Sequence, residues 1–171
     1  MNLQKICYTI ILILRFLGWK YFSWFYSKCT KVFIPTTSIA QELADNNIPE
    51  NIMQIWGRGV DTTLFNPMKK DDEFMDKLCG KNVKKVLFVS RIVWEKELKT
   101  LYRVYKRLLK KRPDIKMIVT GDGPQRQTLE KLMPEAVFTG KLLKNDLAKV
   151  YASSDVFIFP SITETFGNVV L

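Results

Sequence analysis

From Val83 onward, short apolar runs alternate with apolar stripes at helical spacing. Lys85–Val89, Ile115–Val119, Ala136–Phe138 and Asp155–Phe159 are rich in β-branched and aromatic residues and predict four strands. The first is almost continuously apolar, the pattern of a strand covered on both faces. Between the strands, Leu98, Leu101, Tyr102, Tyr105, Leu108 and Leu109 recur at helical spacing up to Pro113. Leu129, Leu132 and Met133 mark a second helix with Pro124 at its first position. Leu147, Val150 and Tyr151 mark a third, with Asn145 as its cap. Four strands alternating with three helices predict a parallel α/β unit over residues 83–171.

The first half reads differently. Residues 6–26 are apolar and aromatic, interrupted by Arg15 and Lys20, which leaves an uncharged run only from Ile6 to Leu14. A membrane-spanning helix needs about 20 largely uncharged residues. Three readings stay open: helices of an incompletely represented domain, an interfacial amphipathic element, and a poor membrane anchor. Val32–Ile34, stopped by Pro35, predicts a buried strand. Ser38, three residues before Gln41, has the spacing of a capping box for a helix carrying Ile39, Leu43 and Ala44. Ile52–Trp56 alternates as a strand does. Residues 66–82 are charged and irregular, with a short helix around Glu73–Leu78, and read as a linker between residues 1–65 and 83–171.

Composition narrows the chemistry. The chain has 171 residues, no histidine and a net charge of +10. Imidazole catalysis and histidine metal ligation are therefore closed to it, and no Asp-x-Asp pair is present to hold a divalent metal. Cys7, Cys29 and Cys79 are odd in number and far apart, which fits a reducing compartment rather than a disulfide framework or a zinc site. The charge is concentrated: residues 81–116 hold thirteen Lys or Arg against Glu95, Glu97 and Asp114. A solvated helix face and attraction to an anionic membrane surface or ligand both account for it. Nucleic acid does not, because no recognition motif accompanies the charge.

Candidate chemistry gathers at the C-terminal ends of the predicted strands, where open α/β sheets bind ligands. Arg91 follows the first strand and Lys96 opens the next helix, a fork and a point charge able to clamp a phosphate. Gly121-Asp-Gly123 follows the second strand but lacks the third glycine of a dinucleotide fingerprint, because Arg126 stands there. Thr139-Gly140-Lys141-Leu142 follows the third as another tight turn. Glu164 follows the fourth, ahead of a small-residue turn and a new apolar run. With strand order 3-2-1-4, the Arg91/Lys96 and Glu164 turns flank the topological switch point. Each of these features taken alone also fits an ordinary turn or a solvated charge.

Together they resemble a known family. Val89-Ser-Arg91-Ile-Val-Trp-Glu95-Lys96, Gly121-Asp-Gly-Pro124 and Pro160-Ser-x-x-Glu164-Thr-Phe-Gly167-Asn-Val-Val-Leu171 are similar to glycosyltransferase family 4, of GT-B fold. Gly59-Val-Asp61 with Phe65-x-Pro67 resembles that family's stretch ahead of its second domain. Ile55-Trp-Gly-Arg-Gly59 is similar to its mannosyltransferase and sulfoquinovosyltransferase-like branch.

The resemblance implies an incomplete Rossmann-like sheet preceded by the tail of an acceptor-side domain. It implies retaining transfer of a hexose from a GDP- or UDP-sugar to a lipid or glycan acceptor, with no cofactor and no metal. Arg91 and Lys96 match the donor-diphosphate pair, and Glu164 the first glutamate of E-x7-E, which contacts the donor sugar. Phe166, Gly167, Asn168 and Val169 match the turn whose backbone holds sugar and phosphate. Gly140, Lys141 and Leu142 match the turn near the nucleobase. The family has Gly where this chain has Glu97, and the second glutamate of E-x7-E falls one position beyond Leu171, which reads as truncation. An inactive nucleotide-binding remnant and a basic protein of the membrane surface remain the alternatives. The expected location is cytoplasmic, with attachment to the inner face of a membrane left open.

Overall fold

A computed structural model describes residues 3–57, 59–162, 167, 169 and 170, with backbone alone for residues 3–6. The chain divides into two compact units, residues 1–58 and 59–171.

The first unit opens with one long helix, α1 (Leu3–Tyr26). No proline interrupts the apolar run, so the helix continues through Arg15 and Lys20. Its side chains at Trp19, Ser23 and Tyr26 are partly covered, and Ser23 Oγ donates to the Asn47 carbonyl at 2.8 Å. Most other apolar residues on it are exposed, among them Ile11, Leu14 and Trp24. Among the described residues, no helix is long and apolar enough to cross a membrane. Strands β1 (Val32–Ile34) and β2 (Met53–Ile55) pair in parallel, with α2 (Thr37–Asp45) between them in sequence. Val32 and Ile34 are buried while Phe33 points to solvent, so β1 is covered on one face only. The cap of α2 differs from the expected one. Thr36, held extended after Pro35, accepts from Ile39 N at 3.3 Å, and Ser38 lies inside the helix.

The second unit is built on four parallel strands: β3 (Lys84–Val89), β4 (Ile115–Thr120), β5 (Val137–Gly140) and β6 (Val156–Phe157). They lie in the order β5-β4-β3-β6, which is 3-2-1-4 counted within this sheet. Two-residue alternation sorts the side chains of β3 and β4 to opposite faces. Val86, Phe88, Met117 and Val119 pack under α4 (Leu98–Lys111) and α5 (Arg126–Leu132). Leu87, Val89 and Ile118 pack under α3 (Asp72–Cys79) and α6 (Lys144–Ala152). Covering both faces explains the unbroken apolar run in β3.

Three details depart from the sequence reading. The stretch 66–82, expected as a linker, carries a 3-10 turn (Pro67–Lys69) and, as α3, the helix expected around Glu73–Leu78, but its Met75 and Cys79 are buried beneath the sheet. Its charges face outward, and Asp71 ties it down: the carboxylate caps Phe74 N and pairs with Lys149, while Asp71 N donates to Ser153 Oγ. The lysine and the capped amide hold the Asp71 carboxyl below the usual range. Secondly, α5 begins at Arg126, because Gly123-Pro124-Gln125 is a turn closed by Arg126 N on the Gly123 carbonyl. Thirdly, Asn145 lies within α6; the cap position is Leu143, which makes no side-chain bond.

Candidate donor site at the C-terminal edge of the sheet

The loops that leave β3, β4 and β5 are laced together through main-chain atoms. Ser90 N donates to the Thr120 carbonyl at 3.1 Å, Ile92 N to Asp122 at 2.9 Å and Gln125 N to Ile92 at 3.2 Å. Gly121 N donates to the Gly140 carbonyl at 2.8 Å. Glycine is required for this approach. A Cβ on Gly121 would overlap the Ser90 carbonyl oxygen, and one on Gly123 that of Ile92. Gly121 also has φ +131, outside the range open to other residues. Thr139 Oγ1 donates to Thr120 Oγ1 at 2.9 Å, completing the rim.

On this rim Arg91 is exposed and Lys96 partly buried, at the end of a 3-10 turn (Trp94–Lys96). Ile92, fully buried, anchors the loop between them. Glu97 follows in a left-handed conformation, φ 56 and ψ 41, with its carboxylate accepting from Thr100 Oγ1 at 3.0 Å. Strand β6 lies beside β3, and Ile158 N donates to the Leu87 carbonyl at 2.8 Å. The chain beyond β6 therefore leaves from next to the Arg91 loop. Beyond it, Val170 N closes a turn on the Gly167 carbonyl at 2.8 Å, with Gly167 at φ 60. Tyr151 donates its hydroxyl to the Val169 carbonyl at 2.9 Å. Burial pushes that hydroxyl up to about 12, so it is a neutral donor throughout the physiological range. A cavity of about 570 Å3 lies below, lined by Val60, Phe65, Val89, Leu147, Tyr151 and Val169. Its apolar walls exclude Arg91 and Lys96, so it does not suit a diphosphate.

The structure thus gathers Arg91, Lys96, Gly140, Lys141 and the 167–170 turn along one edge of the sheet. Gly140 is buried at φ 72, Lys141 is exposed, and Leu142 packs against the core around Leu87. Glu164, Phe166 and Asn168 lie outside the described residues. Two participants were not legible in the sequence. Arg126 brings its guanidinium to within 3.1 Å of where a Gly140 Cβ would stand, and its Nε is fixed by Glu130 at 2.8 Å. The i,i+4 spacing of Arg126 and Glu130 was the available signal. Tyr151 looked like an ordinary core residue of its helix.

Residues 69–171 match the sequence model of the family described as Glycosyl transferases group 1. The chain belongs to that family. Within it, the chain is 34% identical over 154 residues to a GDP-mannose-dependent alpha-mannosyltransferase of Corynebacterium glutamicum, covering 90% of this chain and 36% of the relative. It is 36% identical over 159 residues to the sulfoquinovosyl transferase SQD2 of Arabidopsis thaliana, covering 90% of this chain and 30% of that one. It spans about a third of the length of these curated relatives. The crystal structure of Anabaena Alr3699/HepE in complex with UDP and glucose shares the fold, with a TM-score of 0.67 at 17% identity over 83% of this chain and 41% of that one.

In this glycosyl transferases group 1 chain, Glu97 holds a left-handed backbone that glycine adopts without strain. A side chain in that conformation costs about 1–2 kcal/mol. Its bond from Thr100 and the flexibility of an unfolded glycine offset part of that. Glu97→Gly is therefore expected to stabilise the second unit by about 0.5–1 kcal/mol. Urea unfolding followed by Trp94 fluorescence measures this, and a lowered midpoint would show that the Thr100 bond outweighs the backbone strain.

Proposed function

We propose that the second unit binds the nucleotide-diphosphate sugar of a retaining glycosyltransferase, and that the first unit is the tail of its acceptor-side domain. The parent reaction moves a hexose to a hydroxyl of a lipid or glycan acceptor. The observation that carries this reading is the placement of the Arg91/Lys96 loop and the 167–170 turn beyond neighbouring strands, β3 and β6, at the point where the strand order reverses.

In this reading Arg91 and Lys96 hold the donor diphosphate. As the bond from the sugar to the β-phosphate oxygen breaks, its electrons pass to the leaving nucleotide, and the two cations stabilise that charge. Glu164 contacts the donor sugar. Phe166, Gly167, Asn168 and Val169 offer backbone groups to sugar and phosphate. Gly140, Lys141 and Leu142 border the nucleobase, and the Arg126 guanidinium forms the outer side of that turn. The Glu97 carboxylate, next in sequence to Lys96, is unfavourable to a nearby phosphate. No step in this scheme uses a metal.

Titration of the chain with GDP-mannose and with UDP-glucose, followed by calorimetry and by release of the nucleoside diphosphate, tests the proposal. Saturable binding of at least one donor is expected, together with turnover that Glu164→Ala lowers. Saturable binding without turnover would favour an inactive nucleotide-binding remnant. Absence of saturable binding by either donor would overturn the proposal.

A further inference from the structure

The outer face of α4 carries Lys99, Arg103, Lys106, Arg107, Lys110 and Lys111, all exposed, while Leu98, Leu101 and Tyr105 fill the buried face. No acid lies on the helix. The two nearest acids in sequence are engaged elsewhere: Glu97 accepts from Thr100, and Asp114 is bound in two places by Arg112. Among the described residues, none of the six cations makes an ion pair; Lys106 lies over the Tyr102 ring at 5.5 Å.

Helix electrostatics does not account for this arrangement. The spacing creates four like-charge pairs at i,i+4, namely 99 with 103, 103 with 107, 106 with 110 and 107 with 111, and two more at i,i+3, 103 with 106 and 107 with 110. Such pairs destabilise a helix. The helix dipole disfavours Lys99 in the first turn and favours only Lys110 and Lys111 in the last, so it leaves Arg103, Lys106 and Arg107 unexplained. The fold tolerates repulsion along a ridge of about 18 Å and places no carboxylate on the helix to relieve it.

We infer that this ridge docks on an anionic phospholipid surface. A straight, convex row of long cationic side chains can meet a plane along its whole length, and each cation adds attraction to anionic headgroups. Trp94, exposed and lining one hollow with Glu97 and Lys99, stands at the N-terminal end of the ridge as an interfacial anchor. No nucleic-acid recognition motif accompanies the cations, which disfavours a nucleic acid. The inference is independent of the donor site.

Co-sedimentation of the full chain with vesicles tests it. Binding is expected to phosphatidylcholine vesicles containing roughly one-third phosphatidylglycerol, not to phosphatidylcholine alone, and to fall steeply as salt rises. Replacing Lys99, Arg103, Lys106 and Lys110 together with Gln should lower partitioning by at least about thirtyfold. It should also raise the thermal midpoint slightly by removing like-charge pairs, which reports that the variant is folded. A control removing the same charge elsewhere, Lys20, Lys28, Lys31 and Lys69 to Gln, should stay within about fivefold of the parent. Equal loss in both variants would reduce the effect to net charge. Equal binding to neutral vesicles would assign it to the apolar residues of α1. Displacement of the protein from anionic vesicles by an equal amount of RNA phosphate would point to a nucleic acid instead. Each of these three results overturns the inference.

Discussion

Gly121→Ala is expected to destabilise the second unit by about 3–5 kcal/mol. The new Cβ would overlap the Ser90 carbonyl oxygen, a main-chain atom that no rotamer change can move aside. The φ of +131 is closed to alanine as well. Overpacking costs about 1–3 kcal/mol and an excluded backbone conformation about as much again. Relief requires the β3 and β4 loops to separate, which gives up the bonds from Ser90 N to Thr120 and from Gly121 N to Gly140. A total on the order of 3–5 kcal/mol is a large part of the roughly 5–15 kcal/mol that holds a domain folded. Gly80→Ala is the control: its backbone (φ 88, ψ 165) is also one alanine avoids, but nothing lies within 4 Å of the added carbon, so the loss should be about 1–3 kcal/mol and smaller than at Gly121. Trp94 is the one tryptophan in residues 59–171 and reports unfolding of this unit. Equal midpoints for the two variants would show that backbone conformation, not the contact with Ser90, sets the requirement for glycine.

Arg91→Ala and Lys96→Ala are each expected to weaken donor binding by about 10- to 100-fold, the size of a lost charge-assisted hydrogen bond. Arg91 is exposed, so its removal should leave the urea midpoint within about 0.5 kcal/mol of the parent. Arg91→Lys should recover little, because a point charge does not reproduce a guanidinium fork. Calorimetric titration with GDP and UDP, run beside urea unfolding of each variant, separates the two effects. Unchanged affinity in both alanine variants would remove the pair from the donor site.

The parallel sheet was readable because β3 and β4 are buried on both faces and so carry unbroken apolar runs. Residues 66–82 were harder to read. A helix whose outer face is charged hides the burial of Met75 and Cys79 when the count runs over the whole segment. Caps were missed where neighbouring residues competed: Thr36 and Ser38 are both good cap residues, and only the extended backbone after Pro35 chooses between them. The Arg91 and Lys96 positions followed from strand ends plus charge. The left-handed turn at Glu97 did not, because nothing in a glutamate side chain announces a positive φ. The meeting of Arg126 with Gly140 likewise depends on how the β5 loop and the start of α5 lie together, which periodicity cannot express.

Because the rim is laced by peptide groups, its shape is largely indifferent to which side chains stand on it. Apart from Gly121, Gly123, the buried Ile92 and Asp122, whose carboxylate accepts from Gly123 N, positions such as Arg91 and Lys141 can be exchanged without rebuilding the loops that carry them. If the rim holds a nucleotide sugar as proposed, one backbone can be fitted to different sugars or bases by side-chain replacement alone. Exchange of the exposed rim positions, with the glycines left untouched, is then a practical route to altered donor choice.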